Sequence, residues 1–298
     1  MIFANPAPAG MASGEFYDTE GADYYLSPAK LESDYADVRF ARELKLFREF
    51  CPRGAVLDVG CGSGGFLYQV HKRWPADYKI LGTDVSGAPL DYAESRGVPV
   101  IRGNFLNMRC SQAGISVRTQ PSPVAVSVHS PAELGEGRGE GFDIITFWAV
   151  LEHLADPGKF LIRANALLNR GGNCFVLVPN VRSLAHRILG SKYRYVYPQH
   201  LNYFSATTLN QLARICGFET VSMRFTHFNP MVIWQDLRSD GREVSNEARA
   251  KLLKQTTAYK QRPWLKPVKW VYRLTEKFLA GCGLADNLVV VLRKKPNR

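Results

Sequence analysis

The sequence has no run of about 18 apolar residues and no pair of cysteines at metal-ligand spacing. The first absence argues against a membrane-spanning helix. The six cysteines are scattered, at positions 51, 61, 110, 174, 216 and 282, which is typical of reduced thiols in a cytoplasmic protein. Residues 1–15 lack a basic start and an apolar core, so no secretory signal is predicted. We therefore expect a cytoplasmic globular protein without a metal site.

Charge is distributed unevenly along the 298 residues, whose formal net charge is +11. Residues 226–298 contain fifteen Lys or Arg and six Asp or Glu, a balance of +9, so the first 225 residues contribute +2. A basic C-terminal region favours anionic membrane surfaces, nucleic acid or acidic substrates, or it is simply a solvated face. No nucleic-acid-binding motif is visible, so nucleic acid is not an expected partner.

One short segment carries most of the functional information. Residues 56–66 read VLDVGCGSGGF, in which a β-branched run ends in an acid and is followed by closely spaced glycines and an apolar run. This order predicts a strand, a tight turn and the start of a helix. Glycine permits positive φ and a close approach of ligand to backbone, and the N–H groups of such a turn can bind ligand oxygens. We expect a nucleoside-containing cofactor to bind at Gly60, Cys61, Gly62 and Gly64.

The glycine pattern alone fits two cofactors. Gly60-x-Gly62-x-x-Gly65 matches the dinucleotide fingerprint of NAD enzymes, whereas Gly60-x-Gly62-x-Gly64 preceded by Asp58 is suited to S-adenosylmethionine (SAM). A carboxylate at the strand end repels a pyrophosphate but attracts the ammonium and sulfonium groups of SAM. Asp58 therefore favours SAM. A turn whose glycines serve packing alone is the third interpretation.

Two further strand ends fit a bound nucleoside. Asp84 ends the predicted second strand, 24 residues after Gly60, where a carboxylate can accept hydrogen bonds from ribose hydroxyls or cap a helix. Val85 follows it and is assigned to the same site. Asn104 and Phe105 follow the predicted third strand, where an amide can bond to adenine and a ring can flank it. Gly-Asn pairs are also common in turns, so the signal at Asn104 is weak.

Three later segments complete a family pattern. Residues 142–157 read FDIITFWAVLEHLADP, residues 167–172 read LLNRGG, and residues 199–205 read QHLNYFS, before Gly217-Phe218. Together with the turn at 58–64, these motifs resemble those of the class I SAM-dependent methyltransferases. The resemblance is closest to the small-molecule branch that includes ubiquinone-biosynthesis O-methyltransferases.

The resemblance covers about residues 31–225 and the last strand. It implies a Rossmann-like α/β fold: a seven-stranded, mostly parallel sheet with an antiparallel last strand and helices on both faces. Residues 1–30 are expected to be a flexible segment. Residues 110–141, which are rich in Ser, Pro and Gly, are expected to interrupt the core as a loop or hairpin. A basic helical insertion is expected at 226–284, before the final strand and tail at 285–298.

The resemblance also implies roles for single residues. Asp58 and the glycine turn would lie near the methionine end of SAM, and Asp84 would bind the ribose. The segment from Trp148 to Leu151 would line the methionine and adenine side, and both residues are assigned to cofactor binding. Asn104 stands where the family often has Asp.

Methyl transfer needs an acceptor aligned with the S–CH3 bond and protected from water, which is mainly an effect of proximity. A hydroxyl acceptor also needs a base. His153 and His200 are the candidate catalytic bases, because imidazole titrates near neutrality. Each histidine is alternatively a structural hydrogen-bonding residue. Arg39 either pairs with the carboxylate of the cofactor or is a solvated helix residue.

The resulting hypothesis is a SAM-dependent methyltransferase that acts on a small-molecule or lipid-linked acceptor, at oxygen. One alternative is an NAD-dependent oxidoreductase built on the same turn, although no Tyr-x-x-x-Lys hydride-transfer pair follows the fourth strand. The other is a non-catalytic module that binds SAM or a membrane surface.

Residues 264–281 predict a basic amphipathic helix. Lys266, Lys269, Arg273 and Lys277 are 3, 4 and 4 residues apart, so they form one stripe on the helix. A basic helix that also carries tryptophans can lie in a membrane interface and bring a lipid-linked acceptor to the site. Most amphipathic helices of globular proteins face their own core, so packing against the enzyme itself is the preferred interpretation.

Overall fold

A seven-stranded sheet forms the centre of the protein. The computed structural model describes residues 2–3, 20–111, 116–118, 141–197, 199–238, 254 and 266–295. In chain order the strands of this sheet are β1 (Gly54–Val59), β2 (Tyr78–Asp84), β3 (Val100–Arg102), β4 (Phe142–Trp148), β5 (Leu168–Pro179), β6 (Phe218–Thr226) and β7 (Asn287–Lys294). Their spatial order is β6-β7-β5-β4-β1-β2-β3, with β7 antiparallel to both neighbours and all other pairs parallel. The predicted Rossmann-like fold is confirmed.

The central strands are apolar on both faces, as a parallel sheet covered by helices requires. In β1, Leu57 packs in one core cluster and Val56 packs in a second cluster. β7 contributes five consecutive buried residues, from Leu288 to Leu292. Successive side chains of a strand point to opposite faces, so this run contributes to both clusters.

Helices cover both faces of the sheet. They are α1 (Glu20–Tyr25), α2 (Pro28–Asp34), α3 (Ala41–Phe50), α4 (Gly65–Arg73), α5 (Gly87–Ser95), α6 (Pro157–Leu167), α7 (Leu184–Leu189), α8 (Ala206–Ile215), α9 (Pro230–Arg238) and α10 (Lys266–Gly281). On one face, α6 and α8 contribute Leu161 and Leu209 to the first cluster. On the other face, α3 and α4 contribute Phe47 and Phe66 to the second cluster.

The segments outside the sheet differ in part from expectation. Residues 20–30, predicted as part of a flexible segment, form α1 and the start of α2. Most of the predicted insertion at 110–141 lies outside the described residues. Within its described part, Ser116–Arg118 pairs antiparallel with Arg109–Ser111. The predicted helical insertion at 226–284 contains α9 and α10. No helix in the described ranges combines the length and the apolarity that crossing a bilayer requires.

The ends of the strands place the candidate site. The parallel strands β1, β2, β4 and β5 all finish at one edge of the sheet. Because β7 runs the other way, its first residue, Asn287, lies opposite Pro179, the last residue of β5. In open α/β sheets ligands bind outside this carboxyl edge, so residues that follow these strands are expected to meet there.

Candidate active site

Three glycines with positive φ shape the turn between β1 and α4. The φ angle is 71° at Gly60, 52° at Gly62 and 76° at Gly64, all in the left-handed region. A Cβ on Gly60 would lie 2.6 Å from Cγ2 of Val150, and one on Gly64 would lie 2.8 Å from a side-chain carbon of α5. Among the described residues, a Cβ on Gly62 would meet only the Tyr25 ring, at 3.6 Å. Gly60 and Gly64 thus permit close packing, whereas Gly62 borders a space that a ligand can use.

The carboxylate of Asp84 holds this turn from the end of β2. Its Oδ2 accepts a hydrogen bond from the N–H of Gly62 at 2.8 Å, and its Oδ1 accepts from Val85 at 2.7 Å and Ser86 at 3.1 Å. The acid at the end of the second strand therefore lies directly beside the glycine turn. Val85 is 39% exposed and offers an apolar surface on which a nucleobase can stack.

Asp58 lies beneath the turn, near the end of β1. It is in register with Thr146 of β4, whose hydroxyl donates to Oδ1 of Asp58 at 2.5 Å. Burial, with a smaller contribution from the negative charge of Asp84, raises the pKa of Asp58 to about 7. Burial also raises the pKa of the Cys61 thiol well above its usual range. Cys61 is therefore a neutral residue of the turn and not a thiolate nucleophile.

A cation cluster packs beside the turn. The hydroxyl of Tyr35 donates to the carbonyl of Ser63, which ties the segment after α2 to the turn. The buried carboxylate of Asp34 pairs with Lys30 and, at 3.4 Å, with Nε of Arg39. Glu43, a second buried carboxylate, also acts on Arg39 and stabilises its charged form. Arg39 is thus part of a partly buried cluster, not a solvated residue of a helix.

Two residues predicted to line the cofactor lie in the core instead. Phe105 is buried, with its ring centroid 5.8 Å from that of Phe147 and 5.7 Å from that of Phe160. Leu151 is fully buried in the same cluster. The burial of these side chains does not support their assignment to cofactor binding, which stays a prediction. Each residue begins a short 3-10 helix, and the tight winding turns its side chain inward, which strand-end reasoning did not anticipate.

Asn104 and Trp148 lie at strand ends, in different environments. Oδ1 of Asn104 accepts from the N–H of Leu106 at 2.9 Å and caps the 3-10 helix. Trp148 packs on Phe66 at 5.1 Å between ring centroids, and its buried Nε1 has no hydrogen-bond partner in the described structure. The next residue, Ala149, has a φ of 57°, which is strained for a residue with a Cβ. An unsatisfied donor beside a strained residue is typical of a functional site.

His153 and His200 meet where the segment after β4 contacts a later loop. Their ring centroids are 4.7 Å apart. Nδ1 of His153 lies 2.9 Å from the carbonyl oxygen of Gln199. A carbonyl only accepts hydrogen bonds, so Nδ1 carries the proton and the neutral ring has its lone pair on Nε2. The structure therefore brings together the two histidines that the sequence singled out.

Glu152 adds a buried carboxyl group to the histidine pair. One potential ligand atom from each of Glu152, His153 and His200 lies within 4.8 Å of the other two. Burial raises the pKa of Glu152 to about 8, and its Oε2 finds no hydrogen-bond partner in the described part of the chain. One carboxylate and two imidazoles form a ligand set that divalent transition metals accept. Sequence spacing could not predict this possible metal site, because its ligands come from two separate segments.

Aromatic rings surround His200. The loop between Gly190 and Phe204, called here the tyrosine loop, carries both the histidine and these rings. The His200 ring centroid is 4.3 Å from that of Tyr197 and 6.2 Å from the nearly parallel ring of Tyr195. Aromatic rings thus pack around His200, and aromatic faces favour contact with planar apolar groups.

A buried ion pair fixes the tyrosine loop on α9. Nη2 of Arg194 is 2.6 Å from Oδ1 of Asp236, and its Nε is 2.9 Å from the same oxygen. The backbone N–H of Arg194 also donates to Oδ2 of Asp236 at 2.9 Å. Such a pair is strongly destabilised when one partner is removed, because a buried charge is left uncompensated. Sequence reasoning missed this pair, since no local pattern links residues 42 positions apart.

A family model, curated relatives and solved structures were compared with this chain, and their results agree. A family model described as a methyltransferase domain matches residues 33–223. The ubiquinone biosynthesis O-methyltransferase of Roseobacter denitrificans is 29% identical over 246 residues, which cover 78% of this chain and 88% of that protein. The protein of the same name from Cereibacter sphaeroides (strain ATCC 17025 / ATH 2.4.3) is 31% identical over 228 residues, covering 73% and 81%.

Solved structures agree on the fold. Phosphoethanolamine N-methyltransferase 2 of Haemonchus contortus, in complex with S-adenosyl-L-methionine, has a TM-score of 0.52 at 16% identity, covering 95% of this chain and 60% of that chain. The region matched by the family model includes the glycine turn, Asp84 and both histidines. SAM, not NAD, is therefore the cofactor. This chain belongs to the family of SAM-dependent methyltransferases.

Proposed function

We propose that the protein transfers the methyl group of SAM to a hydroxyl oxygen of a small-molecule or lipid-linked acceptor. The observation that carries this proposal is the pairing of His153 with His200. His153 lies in the segment that follows Val150, whose side chain packs against Gly60. When bound, SAM supplies a methyl group activated by the sulfonium. The protein then has to bind the acceptor, orient its hydroxyl, exclude water and accept one proton.

The residues around the turn fit a nucleoside and an amino-acid tail. Gly62 borders the available space, and Asp84 lies beside it to accept hydrogen bonds from a ribose. Val85 presents an apolar surface for the adenine. The guanidinium of Arg39 is assigned to the carboxylate of the cofactor, and Asp58 to its ammonium group. Asn104 is assigned to the adenine edge and Trp148 to the methionine side.

His153 is the stronger of the two candidates for the base. Its Nδ1 donates a hydrogen bond to the Gln199 carbonyl. Nε2 is therefore the atom that takes up the proton of the substrate hydroxyl. His200, buried against the tyrosines, orients the acceptor from the other side. A divalent cation held by Glu152 and the histidines would instead lower the pKa of the acceptor hydroxyl.

The relatives support oxygen as the target, because the curated proteins that match are named ubiquinone biosynthesis O-methyltransferases. The aromatic rings of Tyr195 and Tyr197 suit a planar acceptor ring. The charge balance of the C-terminal region supports a further part of the proposal, peripheral contact of residues 264–281 with a membrane. Such contact would give access to an acceptor that carries a lipid tail.

The test uses SAM with a labelled methyl group and a metabolite and lipid extract. We expect a labelled product whose label is released by reagents that cleave methyl ethers. A product labelled on nitrogen or carbon would contradict the proposal. Activity that disappears with a chelator and returns with a divalent cation would favour the metal over the histidine base. SAM binding without any labelled product would favour a non-catalytic SAM-binding module.

A further inference from the structure

The described side chains of helix α10, from Trp270 onward, contact the core on one face. The hydroxyl of Tyr272 donates to the carbonyl of Phe228, just before α9. Glu276 forms a bidentate pair with Arg42 of α3, and Leu279 is buried. Tyr272, Glu276 and Leu279 are four and three residues apart, so they lie on one side of the helix. This side accounts for the packing of α10 against the enzyme itself.

The opposite side of α10 presents large apolar side chains to solvent. Trp270, Leu274 and Phe278 are four residues apart and form one stripe, and Trp270 and Phe278 are 63% and 69% exposed. The preferred interpretation from sequence, in which the apolar face packs on the enzyme, therefore fails for these residues. Val271 extends the exposed stripe.

Helix α9 repeats this arrangement. Its inward residues are Val232 and Asp236, whereas Met231, Trp234 and Leu237 are exposed. Seven of the twelve exposed large hydrophobic side chains in the described structure belong to α9 and α10. Single exposed hydrophobic residues need no explanation, but a concentration of them marks an interaction surface.

The acidic residues of the two helices are buried, whereas their described basic side chains are exposed. Their only acidic residues, Asp236 and Glu276, are buried and paired with Arg194 and Arg42. The exposed charges are basic: Arg238, which lies over the Trp234 ring at 4.1 Å, Arg273 and Lys277. An exposed face made of aromatic, aliphatic and basic residues without carboxylates is complementary to an anionic, partly apolar partner.

We propose that the exposed faces of α9 and α10, called here the basic apolar surface, bind an anionic membrane. A membrane is favoured over a protein partner because the exposed charges of the two helices all have one sign and accompany tryptophans, as in helices that bind a membrane interface. The inference rests on the proposed function in one respect: α9, which carries part of this surface, is joined to the tyrosine loop by the buried pair of Arg194 and Asp236. Membrane binding would therefore hold the loop next to a lipid-linked acceptor.

The experiment measures cosedimentation of the full chain with vesicles at low salt. One set contains phosphatidylcholine alone and the other contains phosphatidylcholine with phosphatidylglycerol. We expect binding to the anionic vesicles at least tenfold stronger than to the neutral ones, weakening as salt is added. Tryptophan emission should shift to shorter wavelength on binding, because Trp234 and Trp270 leave water.

Variants test the aromatic and the basic residues of the surface separately. Trp270→Ser with Phe278→Ser, and separately Trp234→Ser, should each weaken vesicle binding at least tenfold, because each removes an aromatic anchor. Arg273→Glu with Lys277→Glu should reduce the preference for anionic vesicles. Ile215→Ser is the matched control: Ile215 is 81% exposed but lies on α8, so this change should leave binding unaltered.

Several outcomes would overturn the inference. They are absence of binding to anionic vesicles at low salt, equal loss of binding in Ile215→Ser, and wild-type binding in all the surface variants. A dimer in sedimentation that Trp270→Ser dissolves, without vesicle binding, would assign the surface to a second copy of the chain. Vesicle binding is measured without SAM or acceptor, so its failure is distinct from failure of methyl transfer in the extract assay.

Discussion

The proposed nucleoside side and the proposed acceptor side of the site are built in different ways. On the nucleoside side, the turn at 60–64 and Asp84 belong to one strand–helix–strand unit, and backbone N–H groups and glycine φ angles define its shape. On the acceptor side, tertiary packing pairs His153 with His200 and Arg194 with Asp236. Side-chain rings and a buried ion pair define the shape there.

This difference explains why the cofactor is easier to infer than the acceptor. A local unit keeps its geometry wherever its few residues are kept, whereas an assembled pocket changes with each loop that contributes to it. Variants on the two sides should therefore have separable effects. Changes on the nucleoside side should alter SAM affinity, and changes on the acceptor side should alter turnover.

The largest expected effect is on turnover, from His153→Asn. The new amide can still donate to the Gln199 carbonyl, so the local structure is kept while the base is removed. A general base contributes about 100- to 10,000-fold, and we expect a loss in this range with SAM affinity unchanged. Single-turnover rates with labelled SAM and calorimetric SAM titration give the two quantities.

His200→Ala is the companion variant. We expect it to lower turnover more than SAM affinity, and by less than His153→Asn, because His200 is assigned to orienting the acceptor. A larger loss in His200→Ala would exchange the two roles. Turnover within about threefold of wild type in both variants would assign the histidines to structure, since a base would contribute far more.

The same contrast explains how far the sequence could predict the site. The glycine turn and Asp84 were predicted because each directly follows a strand whose apolar pattern is recognisable. The inward position of Phe105 was not predicted, because it depends on a short 3-10 helix that turns the ring into the core. The grouping of Glu152 with the two histidines and the pairing of Arg194 with Asp236 depend on contacts between distant segments. For α10 the helix was predictable, but the side that it turns to solvent depends on Tyr272, Glu276 and Leu279 finding partners in the core.

The second prediction concerns Gly62, which differs from its neighbours in having room for a Cβ. Gly62→Val should abolish detectable SAM binding, a loss of about a hundredfold or more, because the β-branched side chain occupies the ligand space and resists positive φ. Gly62→Asn tests the backbone separately, since Asn tolerates this φ but still fills the space. Normal SAM affinity in Gly62→Asn would show that the space beside Gly62 is not used.

Gly64→Ala is the contrasting change within the same turn. The Cβ of the new alanine would collide with α5, so the melting temperature should fall even in the absence of SAM. Equal melting temperatures for Gly64→Ala and wild type would remove the distinction between packing glycines and the ligand-facing glycine.

The third prediction concerns pH and the acceptor side. Burial raises the pKa of Glu152 to about 8 in the folded protein, from an ordinary value of 4.5. A raised carboxyl pKa stabilises the fold fully below the unfolded pKa, and this contribution is lost as pH rises to the folded pKa. The unfolding free energy of wild type should therefore fall between about pH 4.5 and pH 8 by more than that of Glu152→Gln.

Melting temperatures of the two proteins across this range provide the measurement. Asp58 and Asp286 also have pKa values raised to about 7 by burial, but both are present in each protein, so the difference isolates Glu152. Parallel curves would show that Glu152 is not buried in its neutral form. A divalent cation that removes the difference would place the metal at this cluster.

The smallest expected effect belongs to Asp84, because its carboxylate serves both the turn and the ligand. Asp84→Ala should weaken SAM binding at least tenfold, since losing hydrogen bonds to a charged group costs about 1.5–3 kcal/mol. The loss alone would not distinguish a ribose contact from a distorted turn, because Asp84 also accepts from the N–H of Gly62. Calorimetry with S-adenosylhomocysteine and with its analogue lacking the ribose 2′-hydroxyl separates the two. If Asp84 binds the ribose, Asp84→Ala should weaken binding of the analogue less than binding of S-adenosylhomocysteine. An equal loss of affinity for both compounds would leave Asp84 as a residue that only holds the turn.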